Sequence, residues 1–329
     1  MKLIQTVYRS TLLMLILAFA VHASAETLRG LILTSPGVYH DYSYQSPAIA
    51  QAIADRINIQ FDISLQELQR WKSTDFSAGY DVLVYNVCMA DNRDADLIAN
   101  LRRQSAQLNV PALVLHCTMH SFRETDLWWP FYGLKTTAHE ALRPLPQDRA
   151  REHPVLAGIP EDWVVADDEL YINLSFTATP VLTTMGEDGV PHVTTWLAVE
   201  GNAPVFGTTL GHSNETIEDP IFQQLLANAV LLVTGNLDNN GEPAAGLEPV
   251  SGRPAVLGTS KGPGVEYLGQ EGKDCVYRQL ARAVGPCYAG CFLHPFKWGD
   301  EANACRVSCQ EKLPSTDEAI QACTATDWL

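Results

Sequence analysis

Four short apolar runs, Leu28–Leu33, Ile59–Ile63, Tyr80–Val87 and Ala112–Leu115, each have the length of a buried strand, and helical patterns lie between them. Ser46–Ile57 places Ile49, Ile53 and Ile57 on one helical face, with Ser46 as N-cap and Pro47 at the first helical position. Ser64–Trp71 reads as a short helix or turn, and Asp94–Asn109 as a helix turning Leu97, Leu101 and Leu108 inward. Strands alternating with helices predict an α/β fold whose parallel sheet is covered on both faces. Ala178–Thr184 and His192–Val199 read as later strands joined by a turn at 186–189, and Val205–Thr209 as another. Asp219-Pro220 caps a helix that runs to about Val233.

Ligands bind open α/β sheets at the carboxyl ends of the strands. Ala112–Leu115 runs directly into His116, Cys117 and His120, so the chemistry of this chain is expected where that strand stops. His40, His139, Glu169 and His212 also follow expected strands or the loops beside them. Arg123 and Trp128 sit in an aromatic-rich loop where they could hold a sugar, a ring face stacking on its apolar side; packing is the other reading for both. His153, before Pro154, reads as a turn or cap.

Lys2 and Arg9 precede the apolar run Leu12–Val21, which ends at Ala23-Ser24-Ala25. This is the order of a secretory signal peptide, residues 1–25, cleaved after Ala25. The run is too short for a stable membrane span, and no cysteine follows the cleavage position as a lipoprotein requires. A secreted or periplasmic protein is expected. The chain carries a net charge of −16, which argues against nucleic-acid binding, since that needs clustered Lys and Arg.

Six of the eight cysteines lie beyond residue 270. The order is a domain over 26–236, a Gly/Pro-rich linker over 237–272, and a Cys-rich helical hairpin over 273–329. The two C-x3-C pairs put sulfurs on one helical face each, and nested pairing would join Cys287–Cys309, Cys291–Cys305 and Cys275–Cys323. An oxidising compartment favours disulfides over a metal site there. Such a tail could also dock another exported protein. Cys88 and Cys117 each follow an expected strand, so neighbouring strand ends could bring them to disulfide distance. Two buried free thiols, or a nucleophilic Cys117, are the alternatives.

The segments PGVYHDY (36–42), VLHCTMHSFR (114–123), GLKTTAH (133–139), HPVLAGIP (153–160), DDELY (167–171) and FGTTLGH (206–212) together resemble the ThuA-like family, named for trehalose utilisation. The resemblance spans about residues 27–236. It implies a flavodoxin-like fold of the class I glutamine amidotransferase-like type, and a role on a small sugar, keto-sugar or disaccharide. Amidotransferases of this fold use a cysteine after a central strand, but the G-x-C-x-G surroundings are missing around Cys117.

His116, His139, Glu169 and His212 are therefore the expected catalytic core, with His40, His120, Arg123 and Trp128 around the substrate. His116, His120, His139 and His212 would suit a divalent metal such as zinc, because neutral imidazoles are ligands that zinc accepts. The same side chains would serve acid–base chemistry without a metal. A non-catalytic carbohydrate-binding module is the rival to an enzyme such as a sugar hydrolase or isomerase.

Overall fold

The structure, a computed structural model, describes residues 27–292 and 314–324. Its strands are β1 (Leu28–Thr34), β2 (Ile59–Leu65), β3 (Val82–Asn86), β4 (Ala112–Leu115), β5 (Leu134–Lys135), β6 (Arg143–Pro146) and β7 (Asp148–Arg149). They continue with β8 (Val164–Asp168), β9 (Ser175–Phe176), β10 (Thr179–Met185), β11 (Pro191–Glu200), β12 (Ala203–Thr208) and β13 (Val256–Lys261). The helices are α1 (Tyr42–Ala54), α2 (Leu68–Trp71), α3 (Ala95–Ala106), α4 (Asn214–Glu218), α5 (Pro220–Val233), α6 (Gln270–Phe292) and a terminal helix, Thr316–Thr324.

Nine strands form one sheet in the order β13-β2-β1-β3-β4-β12-β11-β10-β7. From β13 to β12 all neighbours are parallel, and β11, β10 and β7 extend the sheet antiparallel. The sheet is thus mostly parallel rather than wholly so. The period of two in β1 sends Ile32 to one face and Leu31 and Leu33 to the other. On the first face Ile32, Phe61, Val84 and Leu113 meet Ile49 and Ile53 of α1 and Leu225, Leu226 and Val230 of α5. On the second, Leu31, Leu83, Tyr85 and Val114 meet Leu97 and Leu101 of α3 and the aromatic loop Trp128, Phe131 and Tyr132. Each large side chain so buried contributes about 1.5–3 kcal/mol. Gly207 in β12 permits the close pass of Trp196 from β11, because a Cβ there would lie 2.2 Å from the indole ring.

The start of α1 and the stretch after residue 236 differ from the sequence reading. Helix α1 begins four residues before Ser46, with Asp41 at its N-cap, and the Ser46 hydroxyl instead donates to Thr34 Oγ1 at 3.0 Å. The stretch 237–272 is not a free tether. Its β13 pairs in parallel with β2, and Asn58 and Phe61 donate backbone N–H groups to Leu247 and Ala255. The edge of β2 would otherwise present unpaired backbone groups. Leu257 and Gly258 are exposed, which is why this edge strand lacks an apolar signature. Cys275 and Cys323 are bonded, joining α6 to the terminal helix. The expected leader, residues 1–25, and the pairs Cys287–Cys309 and Cys291–Cys305 lie outside the described residues and side chains.

Candidate functional site

Strand β4 ends at Leu115, and the chain turns at once into a 3-10 helix over His116–His120. His116 takes up a left-handed backbone, φ +42°, to make that turn. Non-glycine residues adopt this conformation at a cost, and such strain collects at functional sites. The imidazole is 1 % exposed. Its Nδ1–H donates to the Thr209 carbonyl at 2.7 Å, which leaves Nε2 to face the rest of the site. The Tyr171 hydroxyl donates to Nε2 at 3.2 Å.

Two more imidazoles close on His116. His40 comes from the loop after β1, with its ring centre 4.8 Å from His116 and 5.0 Å from His212. His212 comes from the loop after β12 and lies 5.3 Å from His116 by ring centres. One ring nitrogen from each of His40, His116 and His212 falls within 4.8 Å of the others. The Nδ1 atoms of His40 and His212 are buried without a hydrogen-bond partner among the described residues. Burial and the neighbouring His116 and His212 rings push His40 well below its usual range, keeping it neutral. Three imidazoles so close together, two of them with an unpartnered ring nitrogen, fit a divalent cation.

Glu169, just beyond β8, links this trio to His139. Its Oε2 lies 3.5 Å from His116 Nε2 and 3.3 Å from His212 Nδ1, the latter an ion-pair contact misaligned for a hydrogen bond, while Oε1 lies 3.4 Å from His139 Nδ1. Burial alone would raise its carboxyl, but the facing His116 and His212 imidazoles outweigh it, so Glu169 is held well below the usual carboxylate range. Burial lowers His212 in turn, and Glu169 more than offsets this, so His212 is raised. Asp168 is wholly buried and accepts N–H groups from Gly211 at 2.8 Å and His212 at 3.2 Å, which fixes the loop after β12.

Tyr171 separates the trio from a second pair. His120 stacks on its ring, with centres 4.1 Å apart and planes at 5°, and His139 lies 5.8 Å from it. His120 is buried and pushed down to about 3, by desolvation first and then by His116, Arg123 and His139. His139 is 39 % exposed in its side chain, and its Nδ1–H donates to the Glu140 carbonyl at 2.8 Å, leaving Nε2 available.

The four histidines expected as a ligand set are not brought together, because His40 groups with His116 and His212 while His120 and His139 stand beyond Tyr171. Trp128 is 1 % exposed, packed by Tyr85, Phe122 and Phe131, and its indole N–H donates to the Thr118 carbonyl at 3.0 Å. It is a core residue with no face for a sugar. Arg123 is exposed beside His120 and Tyr171. Cys117 is bonded to Cys88, so it carries no thiol for nucleophilic attack. His153 caps a short turn, accepting the N–H of Val155 at 3.2 Å.

Sequence reasoning passed over two side chains and one backbone carbonyl that position this site. Asp168 and Tyr171 lie within the DDELY segment, flanking the glutamate that drew attention. Thr209 acts through its backbone carbonyl, which no residue type announces.

A mostly parallel sheet with helices on both faces is the flavodoxin-like arrangement of the class I glutamine amidotransferase-like fold. The ThuA family model, described as trehalose utilisation, matches residues 29–233, and the chain belongs to that family. A ThuA-like protein from Parabacteroides merdae is similar at 18 % identity and a TM-score of 0.50, over 68 % of this chain and 98 % of that one. One from Bacteroides uniformis is similar at 16 % and 0.49, over 68 % and 98 %. A glutamine amidotransferase from Thermotoga maritima is similar at 12 % and 0.37, over 64 % and 94 %. No curated relative matches the chain.

Proposed function

We propose that this chain is an exported carbohydrate-processing protein that acts on a small sugar or keto-sugar with a divalent cation held by His40, His116 and His212. The observation that carries the reading is the convergence of two buried imidazoles and a partly buried third, two of them with an unpartnered nitrogen, beside an ionised carboxylate. Membership of the trehalose-utilisation family supports a carbohydrate as the ligand. Two disulfides, together with the leader-like sequence before residue 26, support export. Among the described residues, no helix is long and apolar enough to cross a membrane.

A cation at the trio would polarise a sugar carbonyl or hydroxyl oxygen. The protein's own groups then divide the remaining work. His139, at the exposed side, presents Nε2 to take a proton from the substrate or return one, and Glu169 faces the same ring to stabilise it when charged. Tyr171 holds the partition between cation and proton carrier.

The test is a panel of sugars and keto-sugars assayed for binding and turnover with the native protein, Glu169→Gln and His139→Gln. Turnover by the native protein that falls about 100-fold or more in both variants, with binding retained, supports the reading. Binding without turnover by the native protein makes this a carbohydrate-binding module instead. Turnover indifferent to both substitutions removes these residues from the chemistry.

A further inference from the structure

His40 belongs to the loop between β1 and α1, and that loop is gripped from outside the family domain. The Leu268 N–H donates to the Pro36 carbonyl at 2.9 Å. Val38 is buried in one apolar cluster with Leu268, Val276, Ala319, Ile320 and the Cys275–Cys323 bond. The Tyr277 hydroxyl donates to the Val38 carbonyl at 3.3 Å, and its ring stands edge-on to Tyr39 with centres 6.0 Å apart.

The terminal helix grips a second strand-end loop. Asp91 Oδ2 accepts both the N–H of Thr316, at 2.6 Å, and its hydroxyl, at 3.1 Å. Asp91 lies three residues after Cys88, whose N–H donates to Ser35 at 3.1 Å. The loops after β1 and β3 are therefore tied to each other below and to the helical pair above. The matched family region ends at residue 233, so all of these helical contacts are additions to it. His40 Nδ1 makes no hydrogen bond among the described residues. Its ring is set by packing on Tyr42, His116 and His212, by the backbone of His212, and by the backbone of its own loop, whose other contacts include α6 and Leu268.

We infer that the C-terminal helical pair, stapled by Cys275–Cys323, is a positioning element of the site, holding the 36–41 loop so that His40 stays within ligand distance of His116 and His212. The disulfide serves this role by keeping two helices together across a sequence separation of 48. Thr316, Tyr277 and Val276 deliver the grip. The inference rests on the cation reading above only for its effect on affinity; the grip on the loop stands apart from it.

The experiment uses the full chain with Cys275→Ser/Cys323→Ser, and separately Tyr277→Phe/Thr316→Val with both cysteines kept. Backbone hydrogen exchange over residues 37–42 and titration with Co2+ are read on each. Exchange over 37–42 should quicken while β1–β4 stay protected, and Co2+ affinity should fall about 10-fold or more, as when a group that orients a ligand is lost. Unchanged exchange over 37–42 in both variants overturns the inference. Faster exchange with unchanged Co2+ affinity also overturns it, since the grip would then not reach His40. Should the cysteine variant lose protection throughout, the Tyr277/Thr316 variant decides by the same criteria. If the native protein binds no Co2+, the cation reading fails, and the exchange result alone decides whether the helical pair holds the loop.

Discussion

The Nδ1–H of His116 donates to the carbonyl of Thr209 at 2.7 Å, joining the end of β4 to the exit of β12. These are neighbouring strands, paired in parallel from Val205 to Thr208. The bond fixes which imidazole nitrogen carries the proton and so turns Nε2 toward Tyr171 and Glu169. A backbone carbonyl cannot be removed by mutation, so the consequences are best tested at the side chains around it.

Asp168 is the first of these. Its carboxylate holds the N–H groups of Gly211 and His212 from full burial. Asp168→Asn sets an amide against donors that need acceptors, and should cost about 1–3 kcal/mol in urea unfolding. Divalent-cation affinity should fall about 10- to 100-fold, because His212 loses its anchor.

Stability should fall on acidification, measured with a chelator present. His120 is pushed from the ordinary histidine range down to about 3, so the folded state binds fewer protons than the unfolded state across that interval. Its contribution is full above the unfolded value and is lost as pH falls below it, by up to about 1.4 kcal/mol per pH unit. His212 runs the other way, because its raised value adds stability below the unfolded value that is lost as pH rises through the folded one. The urea midpoint should drop between pH 7 and pH 5 in the native protein, and less steeply in His120→Asn.

Trp128→Ala should cost about 3–5 kcal/mol, the range for a buried aromatic, and leave sugar affinity unchanged under conditions where the variant is folded. A sugar affinity lost in proportion to the ring would return Trp128 to the site. Urea unfolding and calorimetric titration separate the two.

The strands that carry the site were legible because short apolar runs buried on both faces admit few other readings, and Cys88 and Cys117 were readable as partners from their places after two such runs. Edge strand β13 was not, since half-exposed residues such as Leu257 and Gly258 leave no alternation to find. Helix α1 starts early because Ser46, a good cap by type, turns its hydroxyl to Thr34 instead. The sequence puts His40 around the substrate rather than among the metal ligands because a loop sequence does not say which way it folds, and here the turn at Gly37, φ +89°, helps direct the loop toward His116. His120 and His139 shared the motif chemistry of the trio, and only the intervening ring of Tyr171 sets them apart.

The measurement that tests the central claim most directly is the metal content of the purified protein after incubation with zinc, for the native chain and for His40→Ala, His116→Ala, His212→Ala and His120→Ala. About one zinc per chain is expected in the native protein and in His120→Ala, with binding lost in the other three. A native protein that holds no divalent cation, or a His40→Ala variant that holds it undiminished while His120→Ala does not, would contradict the assignment.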